Sequence, residues 1–255
     1  MMRASTKPVQ RSAGFSLVEL MIAMVLGLFL IAGMIAVFAG NKRSSELNTA
    51  MANIQENARF ALNAMARDAR MSSYQGCLDV NSGALEIRAN AAPTANIRDT
   101  ATTGSVVVTS NTWVPAPPIG FAEPTATPAI PATHVLSLQF AGSTRGVLND
   151  QLNDGISPTP AGDIVLDSNE PDPGLQNNDL AIISNCDFGD LFRVSNVGTN
   201  SGNIVIEHGA AVNSSGALTR AYGAPATIDQ TIVAKFHSNI YFVADTGLTN
   251  NDGDP

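Results

Sequence analysis

The sequence predicts an α+β fold in which one long N-terminal helix leads into a β-rich head. Three observations carry that prediction. The stretch Gly14 to Ala39 is apolar with a single carboxylate, Glu19. Beyond it the chain keeps a helical pattern, with no proline, as far as Gly76. From Gly76 onward the texture changes to short β-like runs separated by turn residues. A chain of 255 residues, 44% hydrophobic and only 5% aromatic, has room for one membrane helix and one moderate globular domain.

The first element is a short leader, residues 1–14, which holds Arg3, Lys7 and Arg11 and no acid. Basic leaders stay on the cytoplasmic side. Next comes Leu20 to Ala39, free of charge and proline. About twenty apolar residues at about 1.5 Å rise are what a helix needs to cross a bilayer. Glu19 is anomalous there, because a carboxylate costs about 2.5 to 3.5 kcal/mol at the bilayer centre and less towards the interface. It calls for a partner. A secretory signal places its small-residue cleavage site after the apolar region, whereas Ser12-Ala13-Gly14 precedes it. Cutting after Gly14 leaves the helix on the protein. Lys42 and Arg43, just beyond the helix, oppose the three leader cations only in part, so the bulk of the chain is expected outside the cytoplasm.

Gly14-Phe15-Ser16-Leu17-Val18-Glu19-Leu20 resembles the prepilin signature of type IV pilins and type II secretion pseudopilins. In that family a membrane peptidase cuts after the glycine and methylates the new N-terminal amine. The resemblance implies cleavage between Gly14 and Phe15, N-methylation of Phe15, and an assembly role for Glu19, the fifth residue of the processed chain. No metal or other cofactor is implied.

The second half of the helix is amphipathic. Leu47, Met51, Ile54, Ala58, Ala61 and Met65 follow steps of four and three, which keeps them on one face. The expectation is one helix over residues 15–75, roughly 90 Å long at about 1.5 Å per residue, with its outer half packed on an antiparallel sheet. Many of its apolar positions are small alanines and the repeat is short, which disfavours a coiled coil. In the membrane half, Ala32, Ala36 and Gly40 fall four apart, as do Ala23 and Gly27. Such ridges suit close helix approach and are equally what ordinary membrane-helix composition supplies.

The head is expected over residues 76–255. Its candidate strands are Ala84 to Arg88, Ser105 to Thr109, His134 to Phe140, Asp163 to Leu166, Asp179 to Ser184, Asp190 to Val197, Asn203 to Glu207 and Thr231 to Ala244. Between Trp113 and Thr133 six prolines favour extended, unpaired backbone, read as a surface loop. Cys77 and Cys186 both fall on the non-cytoplasmic side, where an oxidising compartment lets them pair and pin the helix end to the sheet.

Several function classes lose support. Without the three leader cations the 14 Lys and Arg become 11, against 22 Asp and Glu. So acidic a product repels nucleic-acid phosphates, and no nucleic-acid partner is expected. His134, His208 and His237 are scattered, and no nucleophile elbow, P-loop or dinucleotide fingerprint occurs. No enzyme is predicted. The acidic segment Asp163 to Asp179 and the terminal Asn250 to Asp254 do not match a full calcium loop.

Gln75-Gly76-Cys77, the run Ser184 to Val194, and Ile240 to Gly247 look like the PilW group of minor pilins. That resemblance implies a low-abundance pilus subunit that primes assembly or sits near the fibre tip, anchored in the inner membrane before incorporation into a cell-surface pilus. Its implied partners are other major and minor pilins, the prepilin peptidase, the inner-membrane assembly platform and membrane lipid. A minor pseudopilin of type II secretion shares the same N-terminal chemistry and is the alternative. PilW-like chains continue past the tyrosine-containing strand, so the head is expected to extend beyond Asp254-Pro255.

Overall fold

The computed structural model describes residues 14, 16–78, 85–92, 101–109, 112–115, 129–153, 157–224 and 231–245. The chain divides into two units, residues 1–62 and 63–255. The first contains most of α1, which runs Leu17–Met71 over 55 residues. Up to Leu62 its described residues are exposed, with only Gly27 half-buried. A helix of this length and apolarity can cross a membrane, and a soluble core helix would be covered where this one is bare.

α1 begins where Leu20 N donates to Ser16 O at 3.1 Å. It stops because Ser73 turns left-handed, at φ 70°, while Tyr74 N donates back to Met71 O at 2.9 Å and tightens the last turn. Arg70 lies in that last turn, where the helix dipole favours a cation. Only Asn63 onward belongs to the head's unit. There Ala64 and Met65 are half-buried and Asp68 is buried. Leu47, Met51 and Ile54, read from the sequence as sheet-facing, lie in the first unit and are exposed.

The head holds ten strands among its described residues: β1 Leu85–Ile87, β2 Thr102–Thr109, β3 Thr112–Val114, β4 His134–Val147, β5 Ile164–Leu166, β6 Leu180–Ser184, β7 Gly189–Arg193, β8 Asn196–Asn200, β9 Asn203–Glu207 and β10 Ile232–Tyr241. Seven form one sheet in the order β1-β7-β6-β10-β4-β2-β3, antiparallel except for the parallel pair β1 and β7. β5, β9 and β8 form a second, antiparallel sheet. A long N-terminal helix followed by a largely antiparallel head is the α+β architecture the sequence predicts.

β10 is the central strand. It pairs with β4 from Ile232↔Val147 to Tyr241↔Leu136 and, over Ile232 to Lys235, with β6 on its other side. β6 and the start of β10 read as apolar runs, Leu180 to Ile183 and Ile232 to Ala234, because both sheet faces are covered there. Ala181, Ile183, Phe192 and Val233 pack on one side with Ile164, Leu166 and Ile206 of the small sheet. Ile182, Leu191 and Ala234 pack on the other with Phe236, Ala141 and Tyr74. A third cluster joins Val107, Trp113, Ala129 and Val135.

Two strand expectations need correction. The run Asp190 to Val197 is two strands: Val194 N donates to Asp179 O and Ser195 N to Glu207 O, so the chain leaves the large sheet at Val194 and enters the small one. The expected surface loop from Trp113 also starts too early, since Thr112–Val114 pairs with β2 and buries Trp113. The proline-rich stretch 116–128, the leader 1–13, Phe15 and the terminal Asn250 to Asp254 lie outside the described residues.

Candidate functional site

Two places collect the residues that the sequence singles out. One is the start of α1. Gly14 is exposed, and a Cβ added to it meets nothing within 4 Å, so the fold makes no demand for glycine there. Ser16 stands just before the helix and Glu19 is an exposed acid in its first turn. A serine three positions ahead of a glutamate is a helix-start signature, and an acid in the first turn gains about 0.3 to 1 kcal/mol from the helix dipole. The sequence contained that signal, and it gives Glu19 a local role beside any assembly role.

The second place is the end of α1 within the head. Asp68 is the one buried residue among the described positions of α1. Its Oδ2 accepts from the Tyr241 hydroxyl at 2.6 Å and from Asn239 Nδ2 at 2.6 Å, both on β10, while Arg67 Nε lies 3.7 Å from Oδ1. Burial pushes the Asp68 carboxyl up, but the two hydrogen bonds and the Arg67 charge outweigh it and hold the group below the ordinary carboxylate value. Burial and the Asp68 carboxylate push the Tyr241 hydroxyl up to about 12. His237, whose ring lies 5.4 Å from that of Phe140, is pushed down by burial and by Lys235.

From Ser72 to Cys77 the chain crosses the large sheet as a strap. Ser73 N donates to Gln139 O at 3.0 Å, Ala141 N donates to Tyr74 O at 2.7 Å, and Ser184 Oγ donates to Gln75 O at 2.8 Å. Gly76 is left-handed at φ 82°, and a Cβ there would lie 2.5 Å from Ile232 Cδ1 and 2.8 Å from Ser184 Oγ. Glycine is required both by the backbone and by the close approach to β10. Immediately after it, Cys77 is bonded to Cys186, with Cα atoms 4.7 Å apart and a sequence separation of 109. The strap therefore runs from β4 to the end of β6 and is covalently fixed there.

One structural site was not legible beforehand. Asp190 on β7 is fully buried; its Oδ2 accepts from Tyr222 Oη at 2.7 Å, from Thr219 Oγ1 and from Thr219 N at 3.1 Å, and Arg88 Nε lies 3.5 Å from Oδ1. It ties the segment after β9 to the large sheet. An aspartate between Gly189 and Leu191 carries no sign of this in sequence. The three histidines stay apart: His208 Nε2 is 2.9 Å from Gly162 O, and His237 sits on β10. Among the described residues no group of three or more His, Cys, Asp or Glu is placed to hold a metal ion.

Residues 9–35 match the family described as the prokaryotic N-terminal methylation motif. Neither the curated proteins nor the solved structures compared with the chain include a match. The chain thus carries a prepilin-type methylation motif at the start of a membrane-length helix, and motif and fold together support a type IV pilin-like or pseudopilin-like subunit whose motif implies prepilin-peptidase processing.

Proposed function

We propose that the chain is a structural minor pilin of the PilW group, which is cut between Gly14 and Phe15, N-methylated on Phe15, held in the inner membrane with its head in the periplasm, and then built into a type IV pilus as a priming or tip subunit. On this reading residues 1–14 are the removed leader, 15–75 the helix and 76–255 the head. The observation that carries the reading is the order Gly14, Phe15, Glu19 directly ahead of a bare, membrane-length helix. Supporting it, two scattered PilW-like patches meet in space: Gly76 lies against Ser184, and Cys77 is bonded to Cys186. Tyr241, in the third patch, holds Asp68 at the helix end. The role is assembly rather than catalysis. The exposed face Leu47, Met51 and Ile54 then supplies apolar surface for neighbouring subunits.

Two experiments test this. Gly14→Val should leave the leader attached, so that immunoblotting detects only the longer form; since a side chain there meets nothing, retention reports recognition rather than misfolding. Normal accumulation of the shorter form would show that Gly14 is not the cleavage site. Deleting the gene should abolish surface pili and twitching while leaving enzyme secretion intact. The reverse pattern would assign the chain to type II secretion as a minor pseudopilin.

A further inference from the structure

On the head, lined by none of the strap residues, lies a groove of about 580 Å³. That volume is in the range of small-molecule sites, about 300 to 1,000 Å³. Its floor is aliphatic: Val165 of β5 and Val205 of β9 are cross-strand partners, half-buried on one face of the small sheet. Its rim is polar, with Asn149, Asp163 and Asn203 contributing side chains that make no hydrogen bond to other described residues.

The wall formed by Asn149 to Asn153 is fixed rather than loose. Asn149 N donates to Val165 O at 2.8 Å and Leu152 N to Tyr222 O at 2.9 Å, while the Leu152 side chain is buried in the core. Gly162 lets the opposite backbone close on that wall, because a Cβ there would lie 2.3 Å from Asn153 O. Buried His208 holds the Gly162 carbonyl from behind. A pre-formed wall binds a ligand without first having to be ordered.

The chemistry of the lining selects the ligand class. Asp150 and Asp163 are its charged side chains among the described residues, so anions are repelled. Neutral amides donate and accept side by side, as the adjacent hydroxyls of a sugar ring require. The aliphatic floor offers a surface for the ring's C–H face. Having no aromatic platform, the groove would hold its ligand weakly. We infer that this groove binds a neutral carbohydrate of one or two rings, a property that does not depend on the pilin reading.

The test uses the full chain in a detergent without a sugar headgroup. Saturation-transfer NMR is recorded with chitobiose, maltose and lactose as separate probes, and calcium chloride is titrated alone by calorimetry. Expected is transfer to at least one sugar, with affinity reduced about two- to tenfold in each of Asp163→Ala and Asn203→Ala, the loss of one hydrogen bond each. Glu56→Ala, on α1, should bind as wild type. No transfer to any of the three sugars overturns the inference, as does transfer undiminished in both groove variants. Calcium uptake without sugar binding overturns it too, and would make the groove a cation site. Unchanged far-UV circular dichroism in the variants separates lost binding from lost fold.

Discussion

Asp68 and Gly76 are the two positions where a single residue decides how the helix end is held. Because the Asp68 carboxyl titrates below its ordinary value of 3.8 in the folded protein, its contribution to stability is complete above that value and disappears as pH falls through the lower folded value. Wild type should therefore lose stability from about pH 4 downward, and Asp68→Asn should lose less over the same interval. Urea unfolding at pH 6 and pH 3 makes the comparison; parallel losses in the two proteins would remove Asp68 as the cause. Tyr241→Phe deletes a hydrogen bond to a charged group and should cost about 1.5 to 3 kcal/mol at neutral pH. Gly76→Ala combines a left-handed backbone with a clash against Ile232, whereas Gly174→Ala, at φ 66° with nothing within 4 Å, meets the backbone term alone. The second should cost about 1 to 2 kcal/mol and the first distinctly more. Equal costs would mean that Ile232 simply moves aside.

At the scale of elements, the disulfide couples the strap to β6. Cys77→Ser and Cys186→Ser should destabilise the head by the same amount, about 4 to 5 kcal/mol in the chain-entropy account of so long a loop, and the double variant should add little to either. Unequal single effects would reveal a role for one thiol outside the bond. Most elements were legible because their signals are local: α1 from an unbroken apolar and then periodic stretch, β6 and β10 from runs such as Leu180-Ala181-Ile182-Ile183. The split after Arg193 was not, since the chain stays extended through Val194 while its hydrogen-bond partners change from one sheet to the other. β3 was hidden by the prolines that follow it: Thr112, Trp113 and Val114 are all good strand formers, but a run of three is too short to stand out beside them. The groove and the Asp190 tie were hidden because each joins residues from segments far apart in sequence, such as Asp163 with Asn203 and Asp190 with Thr219, which only the folded head brings together.

For the whole molecule, the question is what covers a helix whose first unit is bare from Leu17 to Leu62. Lipid can cover the apolar first part, but Leu47, Met51 and Ile54 lie beyond a bilayer's span of about twenty residues. Packing beside other subunits accounts for both, and Glu19 is the residue that such packing would set in register. On the proposed processing it would be the fifth residue of the mature chain, near the membrane interface, where desolvation penalises an unpaired carboxylate and a neighbouring subunit's N-terminal amine would offset that penalty. A side chain that merely reached back to the headgroups would need no neighbour. The two cases separate experimentally. Glu19→Ala should insert in the membrane and lose its leader normally, because a more apolar helix inserts at least as well, yet be under-represented in sheared fibres. Glu19→Asp, charged but shorter, should fall between. The quantity to compare is the mutant-to-wild-type ratio in purified fibres, normalised to the membrane pool. Glu19 also occupies the first turn of α1, so circular dichroism of both variants should be matched beforehand, the dipole term being only about 0.3 to 1 kcal/mol. Equal incorporation of Glu19→Ala would leave the carboxylate with its local helix-start role alone, the outcome for a subunit that primes at the tip and has no subunit ahead of it to contact.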